Sequence, residues 1–112
     1  MSDENVDDIT VVRQPERGRY ALLDGEKRIG TAAYLDRDGR RIFYHTVVDE
    51  AYGGRGLASR LVREALEDSF AEGVAVVPVC PYVRAWLRRH PEIAGRTTPA
   101  DADDLAALHQ LG

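Results

Sequence analysis

The sequence predicts an α/β domain of the α+β type, with a mixed, mainly antiparallel sheet and two or three helices. Three observations carry this expectation. Residues 9–48 alternate short β-prone runs with tight turns. Residues 57–70 switch to helical spacing of apolar side chains. Val74 to Val79 is then a near-continuous apolar run, as a strand in a buried parallel pairing requires. The length of 112 residues suits one domain, and 44% hydrophobic with 30% charged residues suits a globular one.

Each element has its own local signal. Met1 to Asp8 is polar and acidic and reads as a disordered tail, with the domain proper over 9–92 and a linker with a short helix over 93–112. Ile9 to Arg13 forms a first strand and Tyr20 to Leu23 a second, closed by Asp24-Gly25. Arg28 to Leu35 is a third, thinly packed because it holds Gly30 and two alanines. Asp36-Arg37-Asp38-Gly39 turns the chain into Arg41 to Val48, the strongest strand, rich in β-branched and aromatic residues. Strict alternation puts Ile42, Tyr44, Thr46 and Val48 on one face and Phe43, His45 and Val47 on the other.

Gly53-Gly54-Arg55-Gly56 breaks the strand, and Leu57, Ala58, Leu61, Val62, Ala65, Leu66 and Phe70 follow at helical spacing up to Gly73. With Val74 to Val79 this makes a β-loop-α-β unit, expected to cross over in the right-handed sense. Tyr82 to Arg89 reads as a second helix with Val83, Trp86 and Leu87 inward, ended by His90-Pro91. Thr98-Pro99 reads as the start of a last helix, with Thr98 as cap and Ala102, Leu105, Ala106 and Leu108 as its apolar stripe.

The charge is unevenly spread. The net charge is −4, yet seven acids lie in residues 1–8 and 97–112, which leaves +3 for residues 9–96. Fourteen of the fifteen basic residues are arginine, whose planar fork suits phosphate, although a compositional bias would give the same count. Arg55, Arg60 and Arg63 fall in a stretch, 51–63, without an acid; Arg84, Arg88 and Arg89 fall in another, 73–91. Glycines between a strand and a helix let a ligand approach the backbone, and the unpaired N–H groups of a helix's first turn attract anions. Gly53, Gly54 and Gly56 therefore mark a candidate phosphate loop, or simply a tight turn. A Walker loop is excluded because it needs Gly-Lys-Ser/Thr and the single lysine, Lys27, is distant in sequence. A dinucleotide fingerprint fails because Ser59 stands where its third glycine belongs.

Cys80 is the sole cysteine, which excludes an intramolecular disulfide and a thiolate zinc cluster. It ends the apolar run, where ligands bind in β-α-β units, and His45 lies near the end of the neighbouring strand. The two could share a cleft, with His45 acting on the thiol or on an attacking amine; a buried structural thiol is the plain alternative. No metal site is expected, because no Asp, Glu or His shows ligand spacing. Without an apolar run long enough to span a membrane or a secretory signal, a cytoplasmic location is expected. The acidic balance argues against nucleic acid as a partner.

The segment His45-Thr46-Val47-Val48 followed by Tyr52-Gly53-Gly54-Arg55-Gly56-Leu57-Ala58-Ser59 resembles the acetyl-coenzyme-A loop of the GNAT N-acetyltransferases. Their pattern is Arg/Gln-x-x-Gly-x-Gly/Ala; this chain matches at Gly56 and Ala58 and departs at Gly53. Val77-Pro78-Val79-Cys80-Pro81-Tyr82-Val83 and Trp86 to Glu92 resemble a small GNAT-like subfamily of roughly hundred-residue proteins that lacks the superfamily's N-terminal helical arm. The resemblance covers approximately residues 9–92. It implies acetyl-CoA as co-substrate and a small-molecule or peptide amine as acceptor. It implies a diphosphate on the N–H groups of Gly54, Arg55, Gly56, Leu57, Ala58 and Ser59, beside Gly53. It implies a pantetheine arm paired with Val47 and Val48, in a wedge to which Pro78 contributes by interrupting the ladder. Tyr82, at the start of the following helix, is the candidate coenzyme contact and the available stand-in for the family's acidic tyrosine. His45 and Cys80 are carried over as candidate catalytic residues. The rival expectations are a CoA-binding module without turnover and a Cys–His thiol acyltransferase or thioesterase.

Overall fold

A computed structural model describes residues 8–111. The acidic segment expected to be disordered lies, except for Asp8, outside the described residues. Five strands, β1 (Ile9–Gln14), β2 (Arg19–Asp24), β3 (Lys27–Arg37), β4 (Arg40–Val48) and β5 (Ala75–Pro78), form one sheet in sequential order. The first four pair antiparallel as a meander; β5 joins β4 in parallel. Helix α1 (Leu57–Glu72) makes the crossover between them, and α2 (Pro81–Arg88), α3 (Pro91–Ala94) and α4 (Ala102–His109) follow. The short α3 was not anticipated: Pro91 ends α2 but also opens a new turn, because its fixed φ suits a helix's first position.

Helix α1 lies over the sheet because its apolar stripe has nowhere else to be buried. Leu61, Val62, Ala65 and Leu66 join Tyr20, Leu22, Ala32, Phe43 and Val76 in one core, which Val83, Trp86 and Leu87 of α2 extend. Burying a side chain such as Leu61 contributes about 1.5–3 kcal/mol. Tyr20, Tyr34 and Phe43 contact one another with ring centroids 5.5 to 6.1 Å apart.

Strand β4 does not keep strict alternation. The β3–β4 register slips between Ala33–His45 and Tyr34–Phe43, which leaves Tyr44 as an extra residue. Phe43 sits in the core, and Val48 packs against the same core. An odd separation of five residues would place these two on opposite faces; the inserted residue puts them on one. The expected grouping of Ile42 and Tyr44 with Thr46 and Val48 therefore fails at the bulge.

Two polar clusters were not foreseen. Arg41 is fully buried and donates to both carboxylate oxygens of Asp36, to Glu72, and to the Tyr20 and Ser69 hydroxyls. Its guanidinium also lies 4.6 Å from the Tyr34 ring centroid. Burial works against its charge, but the bonds to Asp36 and Glu72 outweigh burial and hold its pKa above the ordinary value. The second cluster docks α4. Asp101, not Thr98, caps this helix, and Asp101 and Asp104 form a reciprocal capping box. Buried Asp104 also accepts from Arg37 and Arg40, which hold its carboxyl well below the usual range, Arg40 most strongly. The predicted apolar stripe is not what anchors the helix: Leu105 is half exposed and Asp104 is its one fully buried residue. No helix among the described residues is long and apolar enough to cross a membrane.

Candidate active site

The parallel ladder stops early. The last β4–β5 pair is Phe43 with Pro78, and the Phe43 carbonyl then accepts both Val79 N–H (2.9 Å) and Cys80 N–H (2.8 Å). These two bonds turn the chain away into α2, while β4 runs on to Val48 without β5 beside it. Asp49 N–H donates to the Ile29 carbonyl, so in the antiparallel alternation residues 45 and 47 direct their backbone groups to β3. Thr46 and Val48 direct theirs to the open edge. Val48, rather than Val47, is the residue of the expected pair with main-chain groups available there; Val47 carries an exposed side chain.

The open edge leads into a groove of about 430 Å³ lined by Val48, Gly53, Gly54, Gly56, Leu57, Ala58, Ser59 and Tyr82. Sequence reasoning singled out all of these. Gly54 and Gly56 have φ of +79° and +72°, conformations that favour glycine. The first intrahelical bond runs from Arg60 N–H to the Gly56 carbonyl at 3.0 Å, so the N–H groups of Leu57, Ala58 and Ser59 have no carbonyl partner within the helix. Ser59 Oγ accepts from Trp86 Nε1 at 2.7 Å. Trp86 is fully buried and stacks on His90, as a core anchor rather than a groove residue.

The electrostatics differ from the linear pattern. Arg60 pairs with Glu64 and donates to the Ile9 carbonyl, and Arg63 lies near Glu67 and over the Trp86 ring. Acids one helical turn on thus take two arginines of the acid-free stretch. Arg55 stays at the loop, 5.3 Å from the Tyr52 ring centroid. Asp49 and Glu50 also border the groove, with the Asp49 carboxylate turned back onto Ala51 N–H. Arg84 and Arg88 line a separate depression of about 240 Å³ with Pro78 and Leu87, away from the glycine loop.

His45 and Cys80 are not brought together. Cys80 is buried at the N-cap of α2 with Sγ 3.4 Å from Thr46 Oγ1. His45 is exposed, and as the strand neighbour of Thr46 it projects to the opposite face. Residues that sequence reasoning passed over also gather at the loop. Lys27, distant in sequence, stands 5.8 Å from the Tyr52 ring centroid, and the Tyr52 hydroxyl donates to Asp24 at 2.6 Å. That hydrogen bond holds the Tyr52 phenol above its ordinary pKa. Lys27 becomes a neighbour because the end of the β2–β3 hairpin packs against the loop, a contact between segments distant in sequence.

The profile of the GCN5-related N-acetyltransferase family matches residues 19–95. No curated protein matches the sequence. The fold is similar to the solution structure of a GCN5-like protein from Staphylococcus aureus, with a TM-score of 0.64 over 85% of this chain and 93% of that one, at 14% identity. The family match spans β2 to β4, the glycine loop, α1, β5 and α2, which include the groove and its open edge; the chain belongs to the GCN5-related N-acetyltransferases.

Proposed function

We propose that the groove binds acetyl-CoA and that the chain transfers its acetyl group to an amine of a small molecule or peptide. The carrying observation is the end of the β4–β5 ladder at Phe43 and Pro78, beside a glycine loop with unpaired helical N–H groups. An extended amide-bearing arm can pair with the backbone of Thr46 and Val48 as a further strand would. A diphosphate can take the N–H groups of the first turn of α1, where the helix dipole favours negative charge. The Ser59 hydroxyl, its oxygen already accepting from Trp86, keeps its own proton for an acceptor in the groove.

In the transfer, the amine nitrogen bonds to the acetyl carbon as the carbon–sulfur bond breaks. The amine's proton leaves to solvent, and the coenzyme thiolate takes a proton. Tyr82, 37% exposed and facing the groove, is the hydroxyl suited to supply it. The geometry favours direct attack over a Cys80 acyl-enzyme, because Cys80 is buried and His45 faces away. The Cys80-Pro81-Tyr82 segment supports assignment to the small branch of the family. A cytoplasmic location fits a thioester substrate and an unpaired thiol.

Calorimetric titration with acetyl-CoA tests this reading. Saturable heat and a rise in Tm are expected. Absence of both at millimolar ligand would sink it. Binding without thiol release across an amine panel would instead favour a CoA-binding module.

A further inference from the structure

The sheet has a second face, turned away from α1. Tyr20 and Leu22 lie in the core, so alternation puts Arg19 and Ala21 of β2 on this outer face. Register partners share a face, and Gln14, Arg19, Ala33 and His45 therefore form one row across four strands, with Val47 in the next row. Arg37 and Arg40 stand on the same face and hold Asp104, so α4 closes its far end and leaves the end near His45 open. Three arginines gather there: Arg19, Arg28 opposite Leu23, and Arg17 in the turn Pro15–Arg17. None of the three forms an ion pair among the described residues. Burial, then the charges of Arg28 and Arg17, lower the Arg19 pKa against the opposing pull of Glu16. The field around it is thus positive. Arg19 Nε donates to Gln14 Oε1 at 2.6 Å, which fixes the guanidinium toward β1. Its two terminal nitrogens have no partner among the described residues, and a planar fork so presented suits a carboxylate.

We infer that this face receives the acceptor, and that the acceptor is a peptide bearing a carboxylate about three residues from its reacting amine, held by Arg19. The inference rests on the proposed function and names its acceptor class. The chain turns away after Pro78, so the edge of β4 can be reached from the face that carries His45. Two strand spacings, about 10 Å, separate His45 from Arg19. That exceeds the amine-to-carboxylate span of a free amino acid and matches about three residues of extended chain. Arg28 and Arg17 widen the positive field along the same path, so further acids in the peptide add to recognition. Val47, 51% exposed, offers apolar contact beside the reacting end.

The experiment measures thiol release by the full chain at saturating acetyl-CoA with three peptides that differ at one position. Each has a free N-terminal amine and a blocked C-terminus, with Glu, Gln or Arg as its fourth residue. From the Glu to the Gln peptide, kcat/KM is expected to fall roughly tenfold or more, through KM, and further for the Arg peptide. Arg19→Gln combined with Arg28→Gln is expected to abolish that preference, while the calorimetric affinity for acetyl-CoA stays native. Arg19→Glu is expected to turn the preference toward the Arg peptide. Far-UV circular dichroism checks folding. Arg28 is exposed, so Arg28→Gln alone, expected to cut the preference about threefold, keeps the test if the double variant is unstable. Equal kcat/KM for the Glu and Gln peptides, or a preference that survives the double substitution, overturns the inference. Transfer to small amines but to no peptide overturns it and leaves the proposed function standing; failure to bind acetyl-CoA removes both. Binding of a single-stranded oligonucleotide, with no preference among the peptides, assigns the arginines to nucleic acid and overturns it too.

Discussion

Trp86 Nε1 donates to Ser59 Oγ at 2.7 Å, joining the buried centre of α2 to the first turn of α1. This bond ties the core to the groove. Ser59→Ala leaves a buried indole N–H without its partner and is expected to cost about 1–3 kcal/mol. Trp86→Phe removes the donor while keeping an aromatic ring over His90. In a double-mutant cycle by urea denaturation, the pair should show a coupling of about 1 kcal/mol. Strict additivity would show that the bond does not contribute.

The loop glycines give a second prediction. A Cβ at Gly56 would meet nothing within 4 Å, so substitution there strains the backbone rather than clashing. Gly56→Ala is expected to cost about 1–2 kcal/mol and to raise KM for acetyl-CoA, because the N–H groups of the next turn shift. Gly56→Asn should be milder, since asparagine tolerates φ above zero. Equal KM values for the native chain and both variants would count against a role for this turn in binding.

Tyr20 gives a pH dependence. Burial, aided by its bond to Asp68, pushes the phenol up to about 12. An unfolded tyrosine ionises near 10, so the folded form holds its proton more tightly. The contribution is fully present below pH 10 and is lost as pH rises through about 12, roughly 2–3 kcal/mol in all. Tyr20→Phe should flatten this alkaline loss of stability; an unchanged profile would assign it elsewhere.

Asp104 works with the opposite sign. Its depressed pKa makes its contribution present above the unfolded value near 3.9 and lost as pH falls below it. Asp104→Asn should release α4, with faster amide exchange over residues 102–109 and about 1–3 kcal/mol of lost stability. Exchange at native rates would show that other contacts hold the helix.

Cys80→Ala separates two chemistries. Direct transfer predicts an unchanged kcat and no acetyl adduct by mass spectrometry. An adduct on the native chain, lost together with turnover in the variant, would establish the acyl-thiol route.

The sequence legibly encoded the meander and the crossover, because turn residues and periodicity are local signals. It also exposed the loop: most of the residues proposed for the coenzyme lie in one contiguous stretch. What stayed hidden depended on distance. Alternation along β4 gave no sign of the Tyr44 bulge, which is a relation between two strands. Composition cast Asp104 as part of an acidic end, whereas Arg37 and Arg40 make it an anchor. Lys27 was set aside as remote, and the hairpin returns it to the loop.

The double acceptance at the Phe43 carbonyl has a wider consequence. By ending the ladder there, it leaves main-chain groups of Thr46 and Val48 open for the arm that the proposed function places on them. Such a surface is blind to most side-chain replacements. On the proposed reading, the outer face of β4, including His45 and Val47, is free to change to suit a new acceptor while the open edge keeps its main-chain groups for the donor.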